Sequence, residues 1–198
     1  MLDRFVRDLH ATLITLLAPA SPAAAMLATT KQLLGTATLT HSSVADSTIR
    51  PTLPATRYLP SALNTASLSP GLTALVDSLR ALSPELSWVR RTAMAGAGPE
   101  FADGHANAVL VGEGGIAVHS RLTIGVTVMA PGVLYADHSH PPSEVYLVLS
   151  PGQWRQDNGA WHEPGIGGTV YNPPGIVHAM RSADAPLVAI WTLLADTA

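Results

Sequence analysis

Cysteine is absent from this 198-residue chain. Disulfides and thiolate ligands are thereby excluded, so a metal ion would have to be held by His, Asp, Glu or Tyr. Charge is also scarce. Only 13% of residues are charged, the net charge is -3, and Lys31 is the single lysine. With no basic stripe or cluster, the chain lacks the footprint of a nucleic-acid binder. No apolar run approaches the ~20 residues needed to span a bilayer, so no membrane partner is expected. Disorder is excluded by the opposite quantity, a hydrophobic content of 47%. The length suits one domain with a substantial core.

The N-terminal stretch Ala11 to Leu17, followed by Ala18-Pro19-Ala20 and Ala23-Ala24-Ala25, has some of the look of a signal peptide. Asp3, Arg4, Arg7 and Asp8 give it no excess of positive charge, however. Leu2, Phe5, Val6, Leu9, Leu13 and Leu16 recur at helical spacing, which favours an amphipathic helix packed on the domain. The expected location is accordingly the cytoplasm, with the protein a monomer or homodimer.

The texture changes near residue 100. Before it, helices are expected at Leu2 to Leu17, at Ala24 to Leu34 (stopping at Gly35) and at Leu72 to Leu82. The Thr/Ser/Pro-rich region from Thr36 to Pro70 reads mostly as loop with short helical turns. After Gly96, short β-rich runs are punctuated by Gly and Pro. Val109 to Val111, Leu122 to Met129, Val145 to Leu149, Thr169 to Tyr171 and Leu187 to Leu194 are the expected strands. Evenly spaced short strands suggest a sandwich or barrel. The division expected is a helical region over 1–100 packing on a mainly β, metal-bearing barrel over 101–198.

One segment is dense in chemistry. His138, His140, Glu144 and Tyr146 share one parity, and on an extended chain residues two apart point to the same face. A hydrophobic interior that receives two imidazoles, a carboxylate and a phenol needs a strong compensating partner, and a divalent metal is the natural one. Some thirty residues on, Pro173-Pro174-Gly175 forms a tight turn before His178, bringing a further nitrogen toward the same place. Imidazole and carboxylate donors suit several divalent ions, so ligand type alone does not choose among them.

These residues resemble the two motifs of the cupin superfamily. The first, G-x5-H-x-H-x3-E-x6-G, runs from Gly132 through His138, His140 and Glu144, with its last glycine one place late at Gly152. The second, G-x5-P-x-G-x2-H-x3-N, runs from Gly167 through Pro173, Gly175 and His178, with Ser182 where asparagine is usual. Roughly over residues 130 to 182, the runs at Tyr135 to Ser150, Glu163 to Gly168 and Tyr171 to Arg181 are similar to the cupin-type dimethylsulfoniopropionate lyases of marine bacteria. That resemblance implies a single cupin β-barrel (a double-stranded β-helix or jelly roll) preceded by an α-helical region. It implies β-elimination of dimethylsulfoniopropionate to dimethyl sulfide and acrylate with one divalent ion, Fe(II), Zn(II) or Mn(II). It places the metal ligands at His140, Glu144 and His178, the catalytic tyrosine at Tyr146, and accessory site residues at Tyr135 and His138.

The chemistry is coherent with those residues. The proton alpha to a carboxylate is weakly acidic, so the site needs a Lewis acid and one base, for which Tyr146 is the candidate. The plain structural alternative for Tyr146 is a core phenol hydrogen-bonded to Glu144. His138 is either a fourth ligand or a partner that orients its neighbours. The sulfonium head calls for an aromatic wall, and Tyr135, Tyr171 and Trp191 are the candidates, although Trp191 also fits ordinary strand packing. His105, His119 and His162 read as surface or turn residues, and Trp154 and Trp161 as a cross-strand pair flanking Asn158-Gly159. Asp137 fits either the site or a turn cap, and Arg181 either a buried carboxylate or the barrel rim. Two other function classes fit the same motifs: another cupin metalloenzyme (an Fe(II) dioxygenase or an isomerase) acting on a small carboxylate, and a non-catalytic small-molecule-binding cupin.

Overall fold

A computed structural model describes residues 1–36, 40–41, 52–91 and 94–195. Parts of the expected 36–70 loop, at 37–39 and 42–51, therefore lie outside the described residues. Helix α1 (Leu2–Leu16) buries Leu2, Phe5, Val6, Leu9 and Leu13 of the stripe that its periodicity foretells, whereas Leu16 in the last turn is exposed. Helix α2 spans Pro22–Thr36, and β1 is the two-residue strand Thr40–His41. The Pro54–Tyr58 stretch is a 3-10 turn that leads into α3 (Leu59–Ala66), so this part of the expected loop is helical. Proline at the first turn costs little there, because its missing N–H would have no helical partner. Helix α4 (Thr73–Leu82) buries Leu75, Val76, Leu79 and Leu82.

The strands are β2 (Trp88–Val89), β3 (His105–Val111, after the short helix α5, Phe101–Gly104), β4 (Ala117–Val118) and β5 (Leu122–Met129). They continue with β6 (Leu134–His138), β7 (Ser143–Val148), β8 (Gln153–Gln156), β9 (Thr169–Asn172), β10 (His178–Arg181) and β11 (Leu187–Leu194). One sheet runs β1-β4-β3-β5-β11-β7-β9, with β2 also on β3; the other runs β6-β10-β8. The result is a two-sheet jelly roll with helices from the first half of the chain.

The large sheet is buried on both faces, which explains its near-continuous hydrophobic runs. On β5 and β11, Ile124, Val126, Val128, Val188 and Ile190 join the helices in one core. The alternate residues Met129, Leu187 and Ala189 join Tyr135, Tyr146, Trp154 and Met180 in a second core between the sheets. Each fully buried leucine or phenylalanine contributes about 1.5–3 kcal/mol. The helices thus stiffen the back of the sheet whose front carries the polar residues.

Candidate metal centre

The two sequence motifs meet across the cleft. Gly175 adopts a left-handed conformation (φ 75) that side-chain-bearing residues rarely take, and its N–H donates to the His140 carbonyl (3.0 Å). That bond ties the turn before β10 to the loop before β7. His178 lies opposite His138 in the β10–β6 register, and the imidazole centroids are 4.2 Å apart. Ser182, the departure from the usual asparagine, accepts from the Val133 N–H (2.9 Å) and donates to the Ala130 carbonyl (2.6 Å), holding the end of β10 against the turn that opens the first motif.

Three backbone carbonyls orient the three imidazoles. Nδ1 of His138 contacts Ala136 O at 2.9 Å, Nδ1 of His140 contacts Pro142 O at 2.9 Å, and Nδ1 of His178 contacts Ile176 O at 3.1 Å. A carbonyl only accepts, so each neutral ring carries its proton on Nδ1 and presents a lone pair at Nε2. His140 Nε2 and His178 Nε2 then lie 3.3 and 3.2 Å from the same oxygen, Oε2 of Glu144. The buried Nε2 of His178 makes no hydrogen bond among the described residues. Two imidazole lone pairs facing one carboxylate oxygen need a cation between them. The ligand atoms of His140, Glu144 and His178 lie within 4.8 Å of one another, so the residues present fit a divalent ion.

Electrostatics agree with this reading. Burial disfavours a charged Glu144, yet the contacts of His140, His178 and Asn172 with its carboxylate outweigh it and hold the carboxyl at about 2. Asn172 is wholly buried, and its Nδ2 donates to Glu144 Oε2 (2.8 Å) while its Oδ1 accepts from Gln156 (2.7 Å). The Glu144 contact raises the pKa of His140. Burial, then the neighbouring His178, holds His138 down at about 4. Tyr146 is pushed well above its ordinary value, first by burial and then by the Glu144 charge. Burial likewise raises Tyr135.

Beside the centre lies a cavity of about 280 Å³, lined by Tyr135, His138, His140, Glu144, Tyr146 and Trp191 among others. This is the small end of ligand-pocket sizes and suits a compact substrate. Tyr171 is not brought to it. Glu144 and Tyr146 pair with Asn172 and Val170 across β7–β9, so Tyr171 pairs with Val145 on the opposite parity and packs against the helical core. Trp191, by contrast, lines the cavity and lies over Gly125, where any Cβ would fall 2.2 Å from the indole ring.

Other expectations are corrected by the packing. His105 is no surface residue: it is fully buried, stacked on Phe101 at 3.9 Å, and accepts at Nε2 from the Arg91 N–H (3.0 Å). His119 does hold a turn, and His162 is exposed. Trp154 and Trp161 serve different environments; Trp154 is buried near Tyr146, whereas Trp161 stacks with Arg155 and Arg181. Asp137 pairs outward with Arg155 (2.7 Å), and Arg181 bonds Gln153 at the rim. The residues that motif reading missed are Asn107, Thr127, Asn172, Gln156 and Arg91, whose guanidinium lies 5.7 Å from the Tyr135 ring centre. Asn107 and Thr127 carry a readable signal, each being a polar residue at an alternate place in an apolar strand.

Two facing, mainly antiparallel sheets with both histidine motifs converging in the cleft define a cupin. More particularly, the chain belongs to the dimethylsulfoniopropionate lyase family, whose profile matches residues 29–189. It is 33% identical over 94 residues to dimethylsulfoniopropionate lyase DddQ of Ruegeria pomeroyi, a match spanning 47% of each chain. The matched stretch is thus about half the length of that relative. The crystal structure of DddQ from the same organism superposes with a TM-score of 0.69 at 24% identity, covering 100% of this chain and 93% of that one. A structure reported for the DMSP lyases RdDddP and RnDddQII superposes with a TM-score of 0.65 at 19% identity, covering 98% and 91%. No described helix is long and apolar enough to cross a membrane.

Proposed function

We propose that this protein cleaves dimethylsulfoniopropionate to dimethyl sulfide and acrylate by β-elimination at the His140–Glu144–His178 centre. The observation that carries this reading is the convergence of two imidazole lone pairs on one buried carboxylate oxygen, beside a buried phenol in a largely apolar cavity. A divalent ion bound there, such as Fe(II), Zn(II) or Mn(II), supplies Lewis acidity toward the substrate carboxylate and lowers the cost of a nearby phenolate.

The chain's own groups do the rest. Tyr146 takes the alpha proton onto its phenolate oxygen. The electrons of the broken C–H bond form the new carbon–carbon double bond, and the C–S pair leaves with sulfur. The departing sulfide is neutral, so no general acid is required. Tyr135 donates to the substrate carboxylate. His138, neutral across the working range because burial depresses its pKa, orients the groups around it rather than adding charge. The sulfonium sits against the π faces of Trp191 and Tyr135, where a soft cation is favoured by about 0.5–2 kcal/mol. The same proposal includes action in the cytoplasm as a monomer or homodimer.

Proton NMR of the purified, metal-loaded protein with dimethylsulfoniopropionate tests the reading. The vinyl signals of acrylate should grow as substrate signals fall, and Tyr146→Phe should abolish that growth while retaining the metal. Normal turnover by metal-loaded Tyr146→Phe would remove the assigned base.

A further inference from the structure

The mouth of the cavity carries a positive charge that lies outside both cupin motifs. Strand β2 pairs Trp88 with Ala108 and Val89 with Asn107, so the chain leaving it runs on beside the start of β3. There the Arg91 N–H donates to Nε2 of His105 (3.0 Å) in place of a backbone acceptor. A backbone N–H only donates, so Nε2 carries no proton, and Nδ1 turns its own to the Phe101 carbonyl (2.5 Å). That imidazole is wholly buried and stacked on Phe101. The backbone of Arg91 is therefore fixed to the sheet, although its side chain is exposed.

The guanidinium lies over the Tyr135 ring, 5.7 Å from its centre, and lines the cavity with His138, His140, Glu144 and Tyr146. Among the described residues it has no carboxylate partner, whereas the adjacent Arg90 is paired with Asp103. Other polar groups of the cavity are already engaged. Trp191 Nε1 donates to Thr127 Oγ1 (3.0 Å), and Thr127 Oγ1 donates to Asn107 Oδ1 (2.5 Å). The Glu144 carboxylate lies among His140, His178 and Asn172. Arg91 thus brings a full charge to the solvent end of the cavity, and no described acid neutralises it.

We propose that Arg91 is a specificity-determining residue that draws the carboxylate end of a small substrate into the cavity ahead of its cationic end. This rests on the reading of the cavity as a carboxylate-binding site. Arg91 touches no reacting atom. A lone guanidinium at a cleft mouth attracts a carboxylate and disfavours entry of a cation head first, and low-dielectric walls strengthen both effects. The rings mark the path inward: Tyr135 lies under Arg91, His138 is 4.9 Å from Tyr135, and His178 is 4.2 Å from His138. A carboxylate passing Arg91 meets Tyr135 next and then the His140–Glu144–His178 centre.

The test uses zinc-loaded full-length protein and propanoate, a carboxylate without the sulfonium, titrated calorimetrically at low and high ionic strength. A charge series separates attraction from packing. Arg91→Lys should stay within about twofold of wild type. Arg91→Gln should weaken propanoate by roughly three- to fivefold at low salt, and Arg91→Glu by roughly as much again. High salt should shrink these differences to about twofold or less, because an exposed charge is screened. Zinc content should be the same throughout, and with dimethylsulfoniopropionate Arg91→Gln should raise KM more than it lowers kcat. Equal propanoate affinity across the series, with wild-type binding intact, overturns the role of Arg91 and leaves the proposed reaction standing. Losses that ignore the sign of the new side chain, or that persist undiminished at high salt, overturn it too. Absence of propanoate binding by the wild-type protein overturns the carboxylate reading of the cavity and the role of Arg91 with it. Should one variant misfold, the remaining two still order by charge or fail to.

Discussion

Asn172→Leu offers a sharp perturbation of the centre because it removes one donor from a buried ligand without touching a ligand itself. In the native protein the Asn172 amide is wholly buried and lies 2.8 Å from Glu144 Oε2. A hydrogen bond to a charged group contributes about 1.5–3 kcal/mol. At ~1.4 kcal/mol per factor of ten, losing it from the metal-bound state weakens binding roughly 10- to 150-fold. Outer partners of metal ligands, when removed, typically cost about 10- to 100-fold, which agrees. The change also takes one of the two acceptors from Gln156 Nε2, leaving only the Tyr171 carbonyl, so apo stability should fall by about 1–3 kcal/mol as well. Zinc affinity measured by competition with a chromophoric chelator separates the two effects. The Gln156→Met variant, which leaves Asn172 in place but unanchored, should lie between wild type and Asn172→Leu. Zinc affinity in folded Asn172→Leu within about twofold of wild type would refute the argument that Asn172 holds Glu144 for the metal.

Three further outcomes follow from the geometry. His138 has a folded pKa of about 4 against 6.5 unfolded, so the unfolded chain binds the extra proton between those values. Metal-free protein should therefore lose up to about 3 kcal/mol of stability as pH falls from 6.5 to 4, and His138→Gln should flatten that part of a denaturant-midpoint profile. Metal affinity should also decline on acidification, because a proton on His140 competes with the ion; an equilibrium-dialysis series across pH 5–8 reads this directly. Gly125→Ala places a methyl 2.2 Å from the Trp191 ring, so the indole must leave its position. The expected result is a loss of about 1–3 kcal/mol in thermal or urea unfolding together with a raised KM for substrate.

Legibility in the sequence followed the length of each physical signal. Strands β5 and β11 are legible to the residue, because they are mostly apolar over eight positions and turns bound them. Strand β6 carries the first motif but is not legible as a strand, since its residues Leu134–His138 mix polar and apolar and serve the site instead of the core. β8 and β10, each four residues long, gave too little periodicity to separate from turn. Within the site, spacing foretold which motif residues converge. It could not foretell that Tyr171 faces the helices, because parity relative to β7 is a matter of register between distant segments. Nor could it reveal the Trp191–Thr127–Asn107 chain, whose members are 20 and 64 residues apart and meet only once three strands are aligned.

The central claim is a metal-dependent elimination. Headspace detection of dimethyl sulfide from purified protein given dimethylsulfoniopropionate, after chelation and after return of Fe(II), Mn(II) or Zn(II), tests it most directly. The account predicts production that chelator abolishes and at least one of these ions restores. Undiminished production by demonstrably metal-free protein, or silence from folded protein loaded with each ion, would contradict it.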